Sequence, residues 1–521
     1  MSISAREPRI AVEEPVRPAR PSDAVAVALL TVIISAAGAA RPSFWFDEAA
    51  TISASTRSVS ELLRMLGNID AVHGLYYLLM HGWFAVFPAT EFLARLSSAL
   101  TVGVAAAGVV VLGRQLSTRS VAVTAGVVFA VLPRVTWAGM EARSYAATVA
   151  AAVWLTVFCV FAARRGGQWG WWVLYGVMAA VATVLNVFLV LLVPVHAVVV
   201  ACCLPSQVPR ARPVVRWAVS ATLAIAAVVP FLLFCQTQLF QVRWISPLSA
   251  DTFLEILQEQ YFEESVPFAV LAGLVMAAAV VAAVIRRRQM NPSGSDHRRL
   301  VLIMLTWITF PTAALVLYSA VKHPVYYPRY LSFTSPALAL LLGLCVVTVG
   351  RTRDRITAIL VLFATAALPN YLVQRGPYAK EQMDYSQVAD IIQAHAAPGD
   401  CLVLDNSAAW APGPIRPLTA ARPAAFQKLH DYGRGLTAIQ RDRLWDSHIA
   451  IWYWADKMPD CAALWTVSER DPTLPEHQRA TSLPPGPRLR RSMAYQVPSR
   501  FGFHVVERWQ FSFAQVTKST R

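Results

Sequence analysis

The sequence predicts a polytopic α-helical membrane protein of about eleven transmembrane helices, with a long first outer loop and a C-terminal extracytoplasmic α/β domain. Three observations predict it. Of 521 residues, 56% are hydrophobic and only 15% are charged, a balance foreign to soluble enzymes. Apolar runs recur from residue 23 to about residue 372, most of them near bilayer length, and none follows. Arginines gather on alternate connections between those runs, as cytoplasmic loops collect them. The net charge of +15 therefore belongs to membrane topology, and no nucleic-acid partner is expected.

Residues 1–22, rich in Pro and Arg, read as a disordered cytoplasmic tail. The first apolar stretch runs from Asp23 to Ala40. Its Ala37-Gly38-Ala39 ending has the form of a signal-peptide cleavage site, but an uncleaved anchor is the preferred reading. In either case Asp47 emerges on the outer face. Phe44, Trp45 and Phe46 sit at the membrane–water boundary, followed at once by Asp47 and Glu48. Charge beside hydrocarbon is expensive and faces a cavity, a partner or a site. The pair is a catalytic candidate, with a plain interfacial helix stop as the alternative.

Two short amphipathic patterns follow, near 49–56 and 59–66, the second offered caps by Ser58 and Ser60 with Glu61 in its first turn. The run HGLYYLLMHGWFAVFP, residues 73–88, is apolar for only about 14 residues, short of the roughly 20 that cross a bilayer. It reads as an interfacial helix inside a first outer loop covering 42–90. Spans then fall near 91–113, 120–133, 144–163, 170–185, 187–203, 214–235, 267–285, 300–320, 332–350 and 356–372. This count keeps Arg114, Arg119, Arg164 and Arg165 inside. Counting residues 73–88 as a span would put them outside, against the positive-inside bias.

Few cations remain on the outer side. Arg143 stands in EARSYA with Glu141 and Tyr145, and Arg243 in QVRWISP. Lys322, His323, Tyr327, Arg329 and Tyr330 stand in KHPVYYPRY. Binding an anionic headgroup would explain such cations, with Arg the best bidentate donor to phosphate. Pairing with a lipid phosphate or a nearby acid is the alternative for each.

Residues 373–521 hold no spanning stretch. SQVADIIQAHAAPGDCLVLDNSA reads as an amphipathic helix, a Pro-Gly turn and a buried strand. RDRLWDSHIAIWYWADK repeats helix then strand, and FHVVERWQFSFAQV closes with one strand. Cys159, Cys202, Cys203, Cys235 and Cys345 fall in or near apolar spans and read as buried thiols. Cys401 and Cys461 are a candidate disulfide if this domain is extracytoplasmic. Trp410, Trp445, Trp452, Trp454, Trp465 and Trp509 serve either core packing or sugar stacking.

Together these parts suit glycosyl transfer from a lipid-phosphate-linked donor. The sugar passes through an oxocarbenium-like state, and one carboxylate removing the acceptor's proton suffices for inversion. Phosphate leaves readily when fixed positive charge receives it. The scheme requires no metal, and no Cys/His metal spacing occurs, although Asp47 and Glu48 would hold a divalent cation if one is present. A flippase for a lipid-linked sugar accounts for the spans and outward cations, less well for the carboxylate loop and outer domain.

The ordered motifs FWFDEAATI, HGLYYLLMHGWFAVF, EFLARLSSAL, EARSYA and YYPRYLSFTSPALALLLG resemble the GT-C superfamily of polyprenyl-phosphate-sugar-dependent glycosyltransferases. The likeness covers about residues 23–350. It is closest to the family-39, protein-mannosyltransferase-like branch that includes the aminoarabinose transferases, in its actinobacterial form. The resemblance implies Asp47 as general base or metal-site residue, with Glu48 adjacent, and Arg329-Tyr330 facing the donor phosphate. Lys322, Arg243 and Arg143 join them as phosphate candidates. His73, Tyr76, Tyr77, Glu141, Tyr145, His323 and Tyr327 are substrate candidates. Relatives often carry Pro-Pro after the loop histidine; here His73-Gly74-Leu75 departs from that pattern. The resemblance further implies a plasma-membrane enzyme acting on the extracytoplasmic side. Mannose on decaprenyl phosphate is the first expected donor and an arabinofuranosyl donor the second, with a glycan, glycolipid or protein acceptor.

Overall fold

The computed structural model describes residues 21–165, 168–205, 211–289, 295–405 and 416–521. Nearly all of the expected N-terminal tail, and Trp410, lie outside the described residues. Among the described residues, seven helices are long and apolar enough to cross a membrane: 91–116, 145–164, 211–237, 266–285, 298–321, 328–350 and 353–373. Four shorter apolar helices, 22–36, 119–131, 169–185 and 187–203, occupy the remaining expected places. The chain is thus a multi-pass helical membrane protein.

Residues 73–88 hold none of these apolar helices. They form a helix of only 11 residues, Gly74–Phe84, about 16 Å long at 1.5 Å per residue. Small residues let the bundle close up. A Cβ on Gly343 would come within 2.7 Å of the Ala125 backbone, so the helices 335–350 and 119–131 touch main chain to main chain.

The two ends of the bundle differ. At one end Arg119 meets Asp23 at 2.6 Å, and Arg164 donates to the Gln115 carbonyl. At the other end the first helix closes on a left-handed Gly38 (φ 76°). Arg375, from the end of the last span, donates there to the Ala37 and Ile34 carbonyls at 2.6 and 2.8 Å. The acidic helix Phe46–Ser55 begins just beyond.

The C-terminal domain is built on five strands: β1 Cys401–Leu404, β2 Leu464–Glu469, β3 His477–Leu483, β4 His504–Gln510 and β5 Ala514–Thr520. Their order is β1-β2-β5-β4-β3, with β1 parallel to β2 and every other pair antiparallel. The helix Tyr385–His395 precedes the wholly buried β1, as the Pro-Gly pattern predicts. Two expectations fail. Residues 441–457 hold neither helix nor strand beyond short 3-10 turns and one isolated bridge, Arg434 to His448, because charged and aromatic residues there follow no sustained period. The closing strand is a hairpin, since the polar Ser512 between two phenylalanines marks a turn, which Phe511 closes by donating to the Ala514 carbonyl at 2.9 Å. Cys401 and Cys461 are disulfide-bonded. Trp465 and Trp509 are buried and stacked, Trp454 is buried, and Trp452 is exposed.

The domain sits on the first loop. Phe44, Trp45, Ala49 and Ile52 share one apolar cluster with Tyr385, Val388, Ile392 and Leu418. Ser386 is tied to the segment Ser43-Phe44 by two hydrogen bonds, its N–H to Ser43 Oγ and Phe44 N–H to its Oγ, both 3.0 Å. Arg57 reaches the Leu444 and Arg443 carbonyls.

Candidate active site

Asp47 and Glu48 occupy the first turn of the helix Phe46–Ser55, where backbone N–H groups and the helix dipole favour negative charge. Their environments are opposite. Glu48 is fully buried and paired with the equally buried Arg95, its oxygens accepting from Arg95 Nε at 2.8 Å and Nη2 at 2.6 Å. Glu48 Oε1 also accepts from Ala142 N–H at 3.0 Å. The remaining Arg95 donors go to the carbonyls of Ala39, Pro42 and Ser43. All five guanidinium N–H groups are used. This corrects Glu48 as a catalytic candidate: its carboxylate is committed to holding the turn 39–43 against the second span. It also separates the adjacent acids, which are held by different arginines.

Asp47 keeps a 19% exposed side chain between two arginines. Its Oδ2 lies 3.8 Å from Arg143 Nε and 3.7 Å from Arg329 Nη2. Both contacts are Coulombic and longer than a hydrogen bond. Arg329 is boxed by aromatic rings, with Cζ 4.7 Å from the Tyr327 centroid, 5.3 Å from Trp45 and 5.9 Å from Trp244. Its Nη1 is 3.8 Å from Glu381. Neither Arg329 Nε nor Arg143 Nε has a hydrogen-bond partner among the described residues.

Arg143 is fixed from behind. Its Nη2 donates to His73 Nε2 at 2.9 Å and its Nη1 to Tyr77 Oη at 3.1 Å, while Tyr77 donates to Asp70 at 2.7 Å. Burial, with Arg143 beside it, holds the His73 imidazole well below its usual range, so it stays neutral and accepts. Tyr145 packs on Trp137 at 5.3 Å, and Tyr330 stacks on Phe188 at 5.5 Å. Tyr76 lines a cavity of about 230 Å³ with Ser97, Ser98 and Met80.

Glu141 is fully buried with neither oxygen hydrogen-bonded among the described residues. Its Oε2 lies 3.5 Å from Lys380 Nζ. Burial pushes Glu141 up to about 7 against the pull of Lys380 and Arg329. Burial likewise lowers Lys380, although Glu141 opposes that shift. An ion pair in water would move both groups the other way; here desolvation outweighs pairing on both.

Three basic candidates are not brought to Asp47. Lys322 and His323 are exposed at the mouth of their helix. Ser319 Oγ accepts the Val325 and Tyr326 N–H groups at 3.1 and 2.8 Å, folding only the later part of KHPVYYPRY inward. Arg243 is also exposed, and it is its neighbour Trp244 that meets Arg329. Sequence reasoning missed Arg95, Trp137, Trp244, Lys380 and Glu381. Arg95 had a signal, an arginine inside a span; Lys380 had only its place just after the last span. No group of three or more His, Cys, Asp or Glu among the described residues is arranged to hold a metal.

Residues 74–234 match the family described as dolichyl-phosphate-mannose-protein mannosyltransferase. Among solved structures, ArnT from Cupriavidus metallidurans bound to undecaprenyl phosphate is similar at 12% identity. The alignment covers 95% of this chain and 97% of that chain, with a TM-score of 0.53. Its apo form gives 13% identity, the same coverage and 0.54. Arabinofuranosyltransferase AftD from Mycobacteria matches at 18% identity over 89% of this chain and 37% of that chain, with a TM-score of 0.47, a looser likeness on which nothing here depends. No curated protein sequence matches the chain. At such identities the solved structures speak for the fold, and the fold is GT-C. The family match is confined to residues 74–234, less than half of the chain, and beyond it the likeness is one of fold.

Proposed function

We propose that this enzyme is an inverting transferase that moves a sugar, mannose first among the donors expected, from a polyprenyl phosphate to a cell-envelope acceptor on the extracytoplasmic face. One observation carries the reading: a partly exposed Asp47 carboxylate flanked by Arg143 and Arg329, whose Nε donors have no hydrogen-bond partner among the described residues and can meet a phosphate. The acceptor hydroxyl attacks the anomeric carbon while the bond from that carbon to the phosphate oxygen breaks. The phosphate leaves with the electron pair and is received by Arg329 and Arg143. Asp47 takes the hydroxyl proton. The step as written uses no metal.

Support for a phosphate-bearing polyprenyl ligand comes from the ArnT structure, whose bound molecule is undecaprenyl phosphate. Support for the extracytoplasmic side comes from the arginine bias and from the Cys401–Cys461 disulfide, which suits an oxidising compartment.

The test is transfer by purified protein from synthetic decaprenyl-phosphate mannose and decaprenyl-phosphate arabinofuranose, comparing wild type with Asp47→Asn. Transfer by wild type alone supports the reading, and the donor accepted decides the sugar. Movement of the lipid across vesicles without transfer, unchanged in Asp47→Asn, would make the protein a flippase.

A further inference from the structure

Residues 377–384 leave the last span and turn back into the site before the C-terminal domain begins. Glu381 and Gln382 both adopt left-handed backbone angles, φ 50° and 59°, which non-glycine residues hold only where their surroundings enforce it. The C-terminal sheet enforces it here. Asp384 Oδ2 accepts the N–H groups of Phe513 and Ala514 at 2.8 and 2.7 Å, at the β4–β5 turn. Gln382 Oε1 accepts the Ser512 hydroxyl at 2.9 Å. On the other side, Ser43 N–H donates to the Pro377 carbonyl at 2.8 Å.

What this strained turn delivers is Lys380. Its side chain is 3% exposed, and its Nζ makes no hydrogen bond among the described residues although an ammonium carries three donors. Its company is also basic. Lys380 Nζ, Arg134 Cζ and Arg329 Cζ lie 4.7, 5.1 and 6.0 Å from the centroid of one ring, Trp137. Arg134 is neutralised by Glu263. Lys380 and Arg329 keep unused donors beside the same indole, and a shared anion completes both.

We propose that Lys380 is a further ligand of the donor's phosphate, alongside Arg329 over Trp137, and that the C-terminal domain, by holding the strained turn, forms part of the donor site. This rests on the transfer-site reading above. Glu141 is then the counter-ion that Lys380 exchanges for phosphate when the donor enters.

The experiment is equilibrium binding of farnesyl phosphate, with farnesol as its phosphate-free control, to the full chain in lipid nanodiscs. Lys380→Met is expected to weaken farnesyl phosphate about tenfold or more and leave farnesol unchanged, whereas Lys380→Arg stays within about threefold of wild type. Asp384→Asn, remote from the phosphate, is expected to weaken farnesyl phosphate in the same sense. Wild-type binding by Lys380→Met, while Arg329→Met loses it, overturns the assignment of Lys380. Equal loss of farnesol and farnesyl phosphate makes Lys380 structural and overturns it too. No effect of Asp384→Asn overturns the role given to the domain. Wild-type binding by Arg329→Met as well places the phosphate elsewhere, and the transfer-site reading falls with it.

Discussion

Asp47 Oδ2 stands 3.7 Å from Arg329 Nη2, near enough for attraction and too far for a hydrogen bond. The arginine thus attracts the carboxylate without consuming its lone pairs, which is what a proton acceptor needs. Asp47→Asn is expected to lower kcat by about 10²–10⁴, the usual worth of a positioned base, with little change in donor KM. Steady-state kinetics with a varied donor checks both. Arg329→Lys keeps the charge but loses the planar fork, so its expected effect is a raised donor KM.

Glu48 and Arg95 make a different kind of pair, buried and fully hydrogen-bonded. Removing one partner strands a charge in the dry interior, at a cost of roughly 3–5 kcal/mol. Arg95→Ala is expected to lower the thermal midpoint sharply and to aggregate on size-exclusion chromatography. Glu48→Asp, which keeps the charge but shortens its reach, should fall between.

Glu141 makes stability depend on pH. Its folded pKa, about 7, is raised above the unfolded value by burial. The associated stabilisation is therefore fully present below the unfolded value near 4.5 and is lost as pH rises towards 7. Its size is at most on the order of 3 kcal/mol at about 1.36 kcal/mol per pKa unit. Thermal midpoints between pH 4.5 and pH 8 should show a declining component that Glu141→Gln abolishes.

The bond between Cys401 and Cys461 closes a sequence separation of 60. Chain-entropy arguments assign such a loop roughly 4 kcal/mol. Reduction, or the Cys401→Ser/Cys461→Ser double variant, is expected to unfold the C-terminal domain at lower temperature. Since that domain holds Lys380, donor affinity should fall with it.

Much of the bundle was legible because bilayer length and arginine asymmetry are strong constraints. They placed the eleven apolar helices found among the described residues, and residues 73–88 hold none of these. The carboxylate dipeptide was legible as a pair, but not which acid was free. That depended on Arg95, whose approach is a matter of packing between the first loop and the second span. Lys322 and Arg329 looked alike in one motif, and only the Ser319 bonds to Val325 and Tyr326 separate them. Lys380 was out of reach because its placement depends on the hairpin at residues 511–514, more than a hundred positions later. The C-terminal domain was least legible, since its short segments alternate without a sustained period.

The clamp on Glu48 has a directional result. Successive side chains on a helix diverge by about 100°, so immobilising one acid sets the bearing of its neighbour. An Asp47→Glu/Glu48→Asp exchange preserves composition and charge yet gives the longer arm to the reacting position and the shorter to the fastening. The order of the two letters, and not merely their acidity, carries the aim of the site.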